Sequence, residues 1–566
     1  VKKTKFSLLL VLTLVLSLFL SACYGGGGKE TTKPAGGSSE GKSEETASNV
    51  PQEITVLETS AIPSLDSALA EDTVSLTMLN NVGEGLYRTD KNQEVVDGVA
   101  KGEPQWNEDK TVATVKLNEN AKWSNGDQIK ASDFVFAWQR AIDPKTKSPY
   151  GPYMMSNKIL NATEIAAGEK KPEELGIKAV DDTTLEITLV KPIAFFESLM
   201  GFASFYPQNE KFVTEKGAEY GKNAENLVFN GPFVMSDWGG NTKEKWTMTK
   251  NENYWDKDNV KLEKINFNVV KDPATAANLF DSGEADITGK LASDVVPQYE
   301  GDERMVKWLE PTVFWLKLNQ KNEALANVNI RKAIAQGFNK DDLAKSILNN
   351  GSVAANYAVP KEFVKHPETG EDFREKNGDM LTFNLEEAQK AWEQGLKEIG
   401  KKELTLEYIG GDTDNAKKTD AYIKNQLEKN LPGLKVDVKS VPFAVRLDLD
   451  NKMDYDIQFA GWGPDYADAI SFSDLWITDG GSNRMGYSNP EYDKLLKQAQ
   501  GDLAAEPGKR FEALQAAEKV LMDEAGLAPV YQRASNVLVA PKVEGFVYHL
   551  NGPEYSYKWI EVTDAE

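Results

Sequence analysis

Residues 113–141 read ATVKLNENAKWSNGDQIKASDFVFAWQRA, and three signals follow one another in that stretch. Ala113, Val115 and Leu117 alternate with Thr114 and Lys116, the pattern of a half-buried strand. Asn125-Gly126-Asp127 is a turn. After Ser132 as an N-cap, Phe134, Ala137, Trp138 and Ala141 fall at i, i+3, i+4 and i+7, which predicts an amphipathic helix. Strand, turn and helix within thirty residues mark a mixed α/β chain.

The same mixture extends in both directions. Ile54-Thr55-Val56-Leu57 is a strand by β-branched content, and Leu185-Glu186-Ile187-Thr188-Leu189 alternates again. Asn489-Pro490 opens another helix, with Tyr492, Leu495, Leu496 and Ala499 on one face. Further helical stretches are expected at 321–348 and 384–400. No short repeat is visible, and these patterns do not fix the number of domains.

The amino end reads differently. Lys2, Lys3 and Lys5 precede an apolar run of 15 residues, Phe6 to Leu20, and then Leu20-Ser21-Ala22-Cys23. That is the layout of a secretory signal, too short for a spanning helix of roughly 20 residues. Cys23 is the sole cysteine. After small residues at a cleavage point it resembles the cysteine of a bacterial lipobox, which carries a diacylglyceryl group of two chains. Residues 24–50, rich in Gly, Ser, Thr, Glu and Lys, are expected to be a flexible tether. The reading is an exported protein, lipid-anchored on the outer face of a cell membrane.

With 65 Lys and Arg against 88 Asp and Glu, the net charge is −23. A nucleic-acid partner needs a basic face, so that class is excluded. One cysteine and two histidines, His366 and His549, leave no disulfide, no thiolate metal cluster and little basis for a His-assisted nucleophile. Gly283 to Gly289-Lys290 misses the phosphate-loop pattern by one residue, and Leu291 stands where Ser or Thr is required. No catalytic constellation, cofactor or metal is expected.

Several blocks occur in a telling order. They begin with Leu65-Asp66-Ser67-Ala68, Asn80-Asn81-Val82-Gly83-Glu84-Gly85-Leu86-Tyr87-Arg88 and Ala121 to Asp127. Next come Asn230-Gly231-Pro232-Phe233, Asn253-Tyr254-Trp255, Ser282 to Asp286 and Asn329 to Ile334. Gly461-Trp462-Gly463-Pro464-Asp465-Tyr466 and Tyr487 to Asp493 complete the series. Over roughly residues 52–560 the chain resembles the extracellular solute-binding proteins of family 5, which deliver oligopeptides to ABC importers. The resemblance implies a two-lobed periplasmic-binding-protein-like clamshell with an extra inserted domain. Lobe I would take 51–73, 199–310 and 534–566, the inserted domain 74–198, and lobe II 311–533. It also implies a monomeric binding protein, not an enzyme, whose partners are oligopeptides and the permease and ATPase subunits of an importer. Nickel complexes, haem, oligosaccharides and signalling peptides remain alternative ligands within the family. A surface hydrolase and a chaperone are the alternatives outside it.

Site residues follow from the same resemblance. The backbone of Gly461, Trp462 and Gly463 would pair with an extended peptide, with Ala61, Ile62 and Pro63 along its other side. Asp465 would receive the peptide α-ammonium, while Trp462 and Tyr150 wall side-chain pockets. The basic groups that meet a peptide carboxylate in relatives preferring very short peptides are missing. Phe459, Asp450 and Ala416 stand at or near their places. Longer peptides whose carboxyl end is left free are therefore expected.

Overall fold

The alternation at Ile54, Val56 and Leu57 produces β1 (Glu53–Glu58), which buries those three side chains. The chain is seen here in a computed structural model that describes residues 50–480 and 482–565. The signal segment, Cys23 and all of the expected tether except Val50 lie outside the described residues. From Val50 onward the chain forms one compact unit.

After β1 the chain builds a small antiparallel sheet from β2 (Gln105–Trp106), β3 (Val112–Lys116), β4 (Ile177–Asp181) and β5 (Thr184–Thr188). The spatial order is β2-β3-β5-β4. Ala113 lies opposite Ile187 and Val115 opposite Leu185, all four fully buried, so both alternating segments meet face to face. The chain returns with β6 (Phe233–Ser236), β7 (Lys245–Lys250) and β8 (Lys264–Val269), completing a sheet of order β1-β8-β7-β6 in which β1 and β8 are parallel. A six-stranded sheet takes the rest: β9 (Met305–Leu318), β10 (Val353–Ala354), β11 (Leu404–Gly411), β12 (Leu434–Val441), β13 (Ile457–Trp462) and β14 (Ala528–Leu538). Its order is β10-β14-β9-β13-β11-β12.

The longest pair, β9 and β14, changes register twice, between Leu309 and Val313 and again between Phe314 and Trp315. Leu309 faces Ala534 and Val313 faces Gln532, so Glu310, Pro311 and Thr312 stand opposite Arg533 alone. Such a bulge bends a strand without ending it.

Two helical expectations are corrected. The helix expected after Ser132 spans Ala131–Ile142, with Ser132 inside its first turn. The Asp133 carboxylate accepts from the Lys130 backbone N–H at 3.0 Å and from Trp123 Nε1 at 3.1 Å, which moves the start forward. In 321–348 the α-helix begins only at Val328, because the Asn327 side chain caps Asn329 and Ile330. It ends at Gln336, and shorter helical turns follow from Lys340 to Leu348. The helices Leu385–Glu398 and Pro490–Gln500 form where expected, each capped by an asparagine. Among the described residues no helix is long and apolar enough to cross a membrane.

The ordered blocks meet in a buried polar network. Glu84 accepts from Arg88 Nη1 at 2.9 Å, from the Tyr254 hydroxyl at 2.7 Å and from Trp255 Nε1 at 2.7 Å. Asn230 exchanges hydrogen bonds with the Glu84 backbone. Asn81 reaches the Tyr555 carbonyl and the Tyr557 N–H, which ties the carboxyl-terminal segment in. Removing one member of a buried ion pair leaves the other charge unmatched, at a cost of about 3–5 kcal/mol. Chemical denaturation of Glu84→Ala should show a loss of that order, and a loss below ~1 kcal/mol would refute the network's importance.

Candidate functional site

β13 lies between β9 and β11, but only part of it is paired on both sides. Along β9 the pairing runs from Ile457 to Trp462, whereas β11 meets only Ile457 and Gln458. The edge from Phe459 to Trp462 is thus unpaired by any strand. Arg446 Nη1 donates to the Phe459 carbonyl at 2.8 Å. Gly461 is required where it stands, since a Cβ would lie 2.6 Å from the Phe314 ring. That ring packs against Tyr531, 4.7 Å away, and Phe459, 5.5 Å away, which also touch each other at 6.2 Å.

The end of this strand opens on a cavity of about 560 Å³, within the size range of ligand sites. Gly461, Trp462, Gly463 and Asp465 line it together with Tyr150. The structure therefore brings five of the expected site residues together. Ala61, Ile62 and Pro63 are not on that wall. Ile62 is fully buried in the core, and Glu71, Thr73 and Leu76 stand at the cavity instead. Trp462 is fixed by its Nε1, which donates to the Ser471 carbonyl at 2.9 Å. Tyr150 stacks on Phe202 at 5.2 Å.

Asp465 accepts from the Tyr153 hydroxyl at 3.0 Å and makes no salt bridge among the described residues. Burial pushes its carboxyl up to about 6, against the hydrogen bonds from Tyr153 and Tyr150 and the charge of Lys158. It is a desolvated carboxylate whose partners are neutral hydroxyls, which suits it to receive a cation.

Three cations and three further carboxylates line the same cavity. Lys290 bonds both Glu310 and Glu554, and Arg533 Nε donates to Glu310 at 2.6 Å. Burial pushes Glu310 up, but Lys290 and Arg533 outweigh it and hold the group down at about 2. Arg446 is the third cation. His549 also lines the cavity, with burial and the charge of Arg88 keeping it neutral, lowered to about 3. The sequence offered no signal for Lys290, Glu310, Arg446 or Arg533, each a single charged residue outside any motif of known role. The loop from His549 to Glu554 carries one, the Asn551-Gly552-Pro553 turn.

The places of the missing basic groups are occupied differently. Phe459 is buried, and Asp450 is bound by Lys317 and, at 3.2 Å, by Arg484. Among the described residues no group of three or more His, Cys, Asp or Glu side chains is arranged to hold a metal ion.

Residues 94–484 match the model of the bacterial extracellular solute-binding proteins, family 5 middle region. A dipeptide-binding protein of Lactococcus lactis is 33% identical over 511 residues, covering 88% of this chain and 92% of the relative. The Listeria monocytogenes OppA bound to peptide superimposes with a TM-score of 0.75 at 45% identity, over 91% of this chain and 99% of that one. The substrate-binding domain of an oligopeptide ABC transporter from Bacillus anthracis gives 0.76 at 42% identity, over 91% and 99%. Likeness at that level carries the fold: an α/β two-lobed clamshell with an extra inserted domain.

The raised Asp465 carboxyl has a direct consequence. Its titration, followed by carboxyl carbon NMR with Asp465→Asn to assign the signal, should have a midpoint near 6. A midpoint at the ordinary value of roughly 4 would mean that the group is solvated.

Proposed function

The chain belongs to the bacterial extracellular solute-binding proteins of family 5, and from that premise we propose that it binds extracellular oligopeptides in the cavity at β13. It then presents them to a membrane ABC importer. The observation that carries this reading is the unpaired edge of β13 ending at a desolvated carboxylate. A peptide's main chain is common to all sequences, so a strand edge can hold many peptides by backbone hydrogen bonds alone. Gly461 and Gly463 present that edge without side chains in the way. Asp465 then fixes the register by receiving the α-ammonium. Trp462 and Tyr150, each anchored by its own contact, bound the spaces for side chains.

The domain assignment is part of the proposal. Lobe I takes 51–73, 199–310 and 534–566, the inserted domain 74–198, and lobe II 311–533. β9 and β14 then cross between the lobes at their shared bulge, where a hinge has room to act. The protein works without chemistry of its own, and the importer's ATPase subunits supply the energy. Lys290 and Arg533 are already committed to Glu310 and Glu554, which supports a free peptide carboxyl end. Cys23 anchors the protein through lipid to the outer face of the membrane, with 24–50 as the tether.

Isothermal titration with a mixed-sequence peptide tests the site. N-acetylation of the peptide and Asp465→Ala should each weaken binding at least about tenfold, the scale of one charge-assisted hydrogen bond. The two losses should not add, and C-terminal amidation should leave affinity unchanged. Undiminished binding to Asp465→Ala would remove the ammonium role. Lowering the pH through 6 protonates Asp465, so affinity should fall there in the wild type and not in Asp465→Asn. Membrane attachment is tested by fractionation. Cys23→Ser should move the protein from the membrane fraction to the medium, and retention at the membrane would argue against the lipid.

A further inference from the structure

A second cavity, of about 410 Å³, is lined by Tyr153. That residue links it to the first cavity, since the Tyr153 hydroxyl is bonded to Asp465, which lines the first. Pro152 to Lys158 and Lys191 to Phe195 close one side, and Tyr466, Asp474 and Arg510 belong to the other. Phe195 and Tyr466 stack with ring centroids 4.4 Å apart and their planes nearly parallel.

The charges in this space are unevenly matched. Arg510 is satisfied, since its Nη1 and Nη2 donate to Asp468 at 2.7 and 2.8 Å. Lys158 and Lys191 are not. Among the described residues neither has a carboxylate within salt-bridge distance. Lys158 Nζ donates to the Tyr153 carbonyl at 3.3 Å, and Lys191 Nζ to Gln500 Oε1 at 3.2 Å. Burial lowers the pKa of both amines. Ammonium groups partly removed from water, each with one long neutral acceptor, lack a counter-ion. Asp474 faces the same space and makes no hydrogen bond among the described residues. Burial raises it to about 7, so it is a weak competitor for the two amines near neutral pH.

We infer that this second cavity is a carboxylate-binding pocket that takes an acidic side chain from one of the first residues of the bound peptide, through Lys158 and Lys191. The inference rests on the peptide-binding reading above, with Asp465 as the ammonium anchor. Position supplies the link. Lys158 donates to the backbone of the same residue whose hydroxyl holds Asp465, so amine and anchor are joined through Tyr153 alone. Tyr153 is 44% exposed and meets Tyr150, which lines the first cavity, edge-on at 5.8 Å. The two cavities are therefore neighbours through the contacts of Tyr153 with Asp465 and Tyr150. The preferred ligands are thus peptides with Asp or Glu near the amino end.

Titration calorimetry at constant salt, with tetrapeptides carrying Glu or Gln at residue one, two or three, provides the test. Wild type should favour Glu at one of these positions by about tenfold. The Glu-over-Gln preference, read as a ratio within each protein, should shrink to about twofold or less in the Lys158→Met, Lys191→Met double variant. Methionine keeps the aliphatic stems in place. Should the double variant fail to fold, Lys191→Met alone carries the same comparison, with a partial loss expected. Equal affinity for Glu and Gln peptides, or a preference that survives in the variants, overturns the pocket and leaves peptide binding standing. Failure of every peptide to bind wild type overturns both.

Discussion

Glu310 sits in the bulge where the two longest strands, β9 and β14, change register. Its side chain is received there by Lys290, Arg533 and Ser535, and its carbonyl accepts from Gln532 Nε2 at 2.9 Å. Burying a carboxylate is costly unless cations and donors replace its water. Here both cations come from separate segments, so the cluster forms only when β9, β14 and the Lys290 loop are assembled. Its carboxyl is held near 2, below the ordinary value of 4.5, so the ionised form favours the folded state. That contribution is complete above the ordinary value and fades only as pH falls towards 2. The bulge beside it supplies three residues opposite one, which lets the strands turn without losing their ladder. An irregular stretch of strand therefore coexists with a tightly fixed charge.

The cleft itself is built on the same trade between burial and charge. Asp465 is left with hydroxyl partners only, so its charge is poorly compensated until a ligand arrives. Lys290, Glu310, Glu554 and Arg533 are mutually compensated and so offer little to a ligand. One group is poised and the others are spent. That division, and not the total charge of the cavity wall, is what would decide where an incoming ion is held.

How much of this was legible in the sequence differs from one residue to the next. The blocks that carry the family resemblance turn out to be scaffolding for the most part. Glu84, Arg88, Tyr254, Trp255 and Asn230 satisfy one another in the interior. Asp286 Oδ2 accepts the Thr55 backbone N–H at 2.8 Å, and Arg331 donates to four backbone carbonyls. Gly461 to Asp465 is the exception, a block that reaches the cavity. Alternation and capping residues gave the strands and most helices, since both are local. The N-cap at Ser132 misled because the acceptor comes from Asp133, three residues after the true cap. Lys290 and Arg533 stayed hidden because part of their setting comes from far along the chain, Glu554 standing 264 residues from Lys290 and Glu310 223 residues from Arg533. Ala61 to Pro63 were placed by analogy with a ligand contact, but of the three only Ile62 is buried, Pro63 is exposed, and none lines the cavity.

The open edge of β13 has a last implication, for solubility. An unpaired strand is a template on which other chains can add, and proteins blunt such edges with charge or cover. Here the edge lies inside a cavity instead of on the outer surface, and the Arg446 guanidinium occupies the Phe459 carbonyl. Where Gly461 to Gly463 meet that cavity, the open edge that would invite another chain in a flat sheet is the one a short extended guest would use.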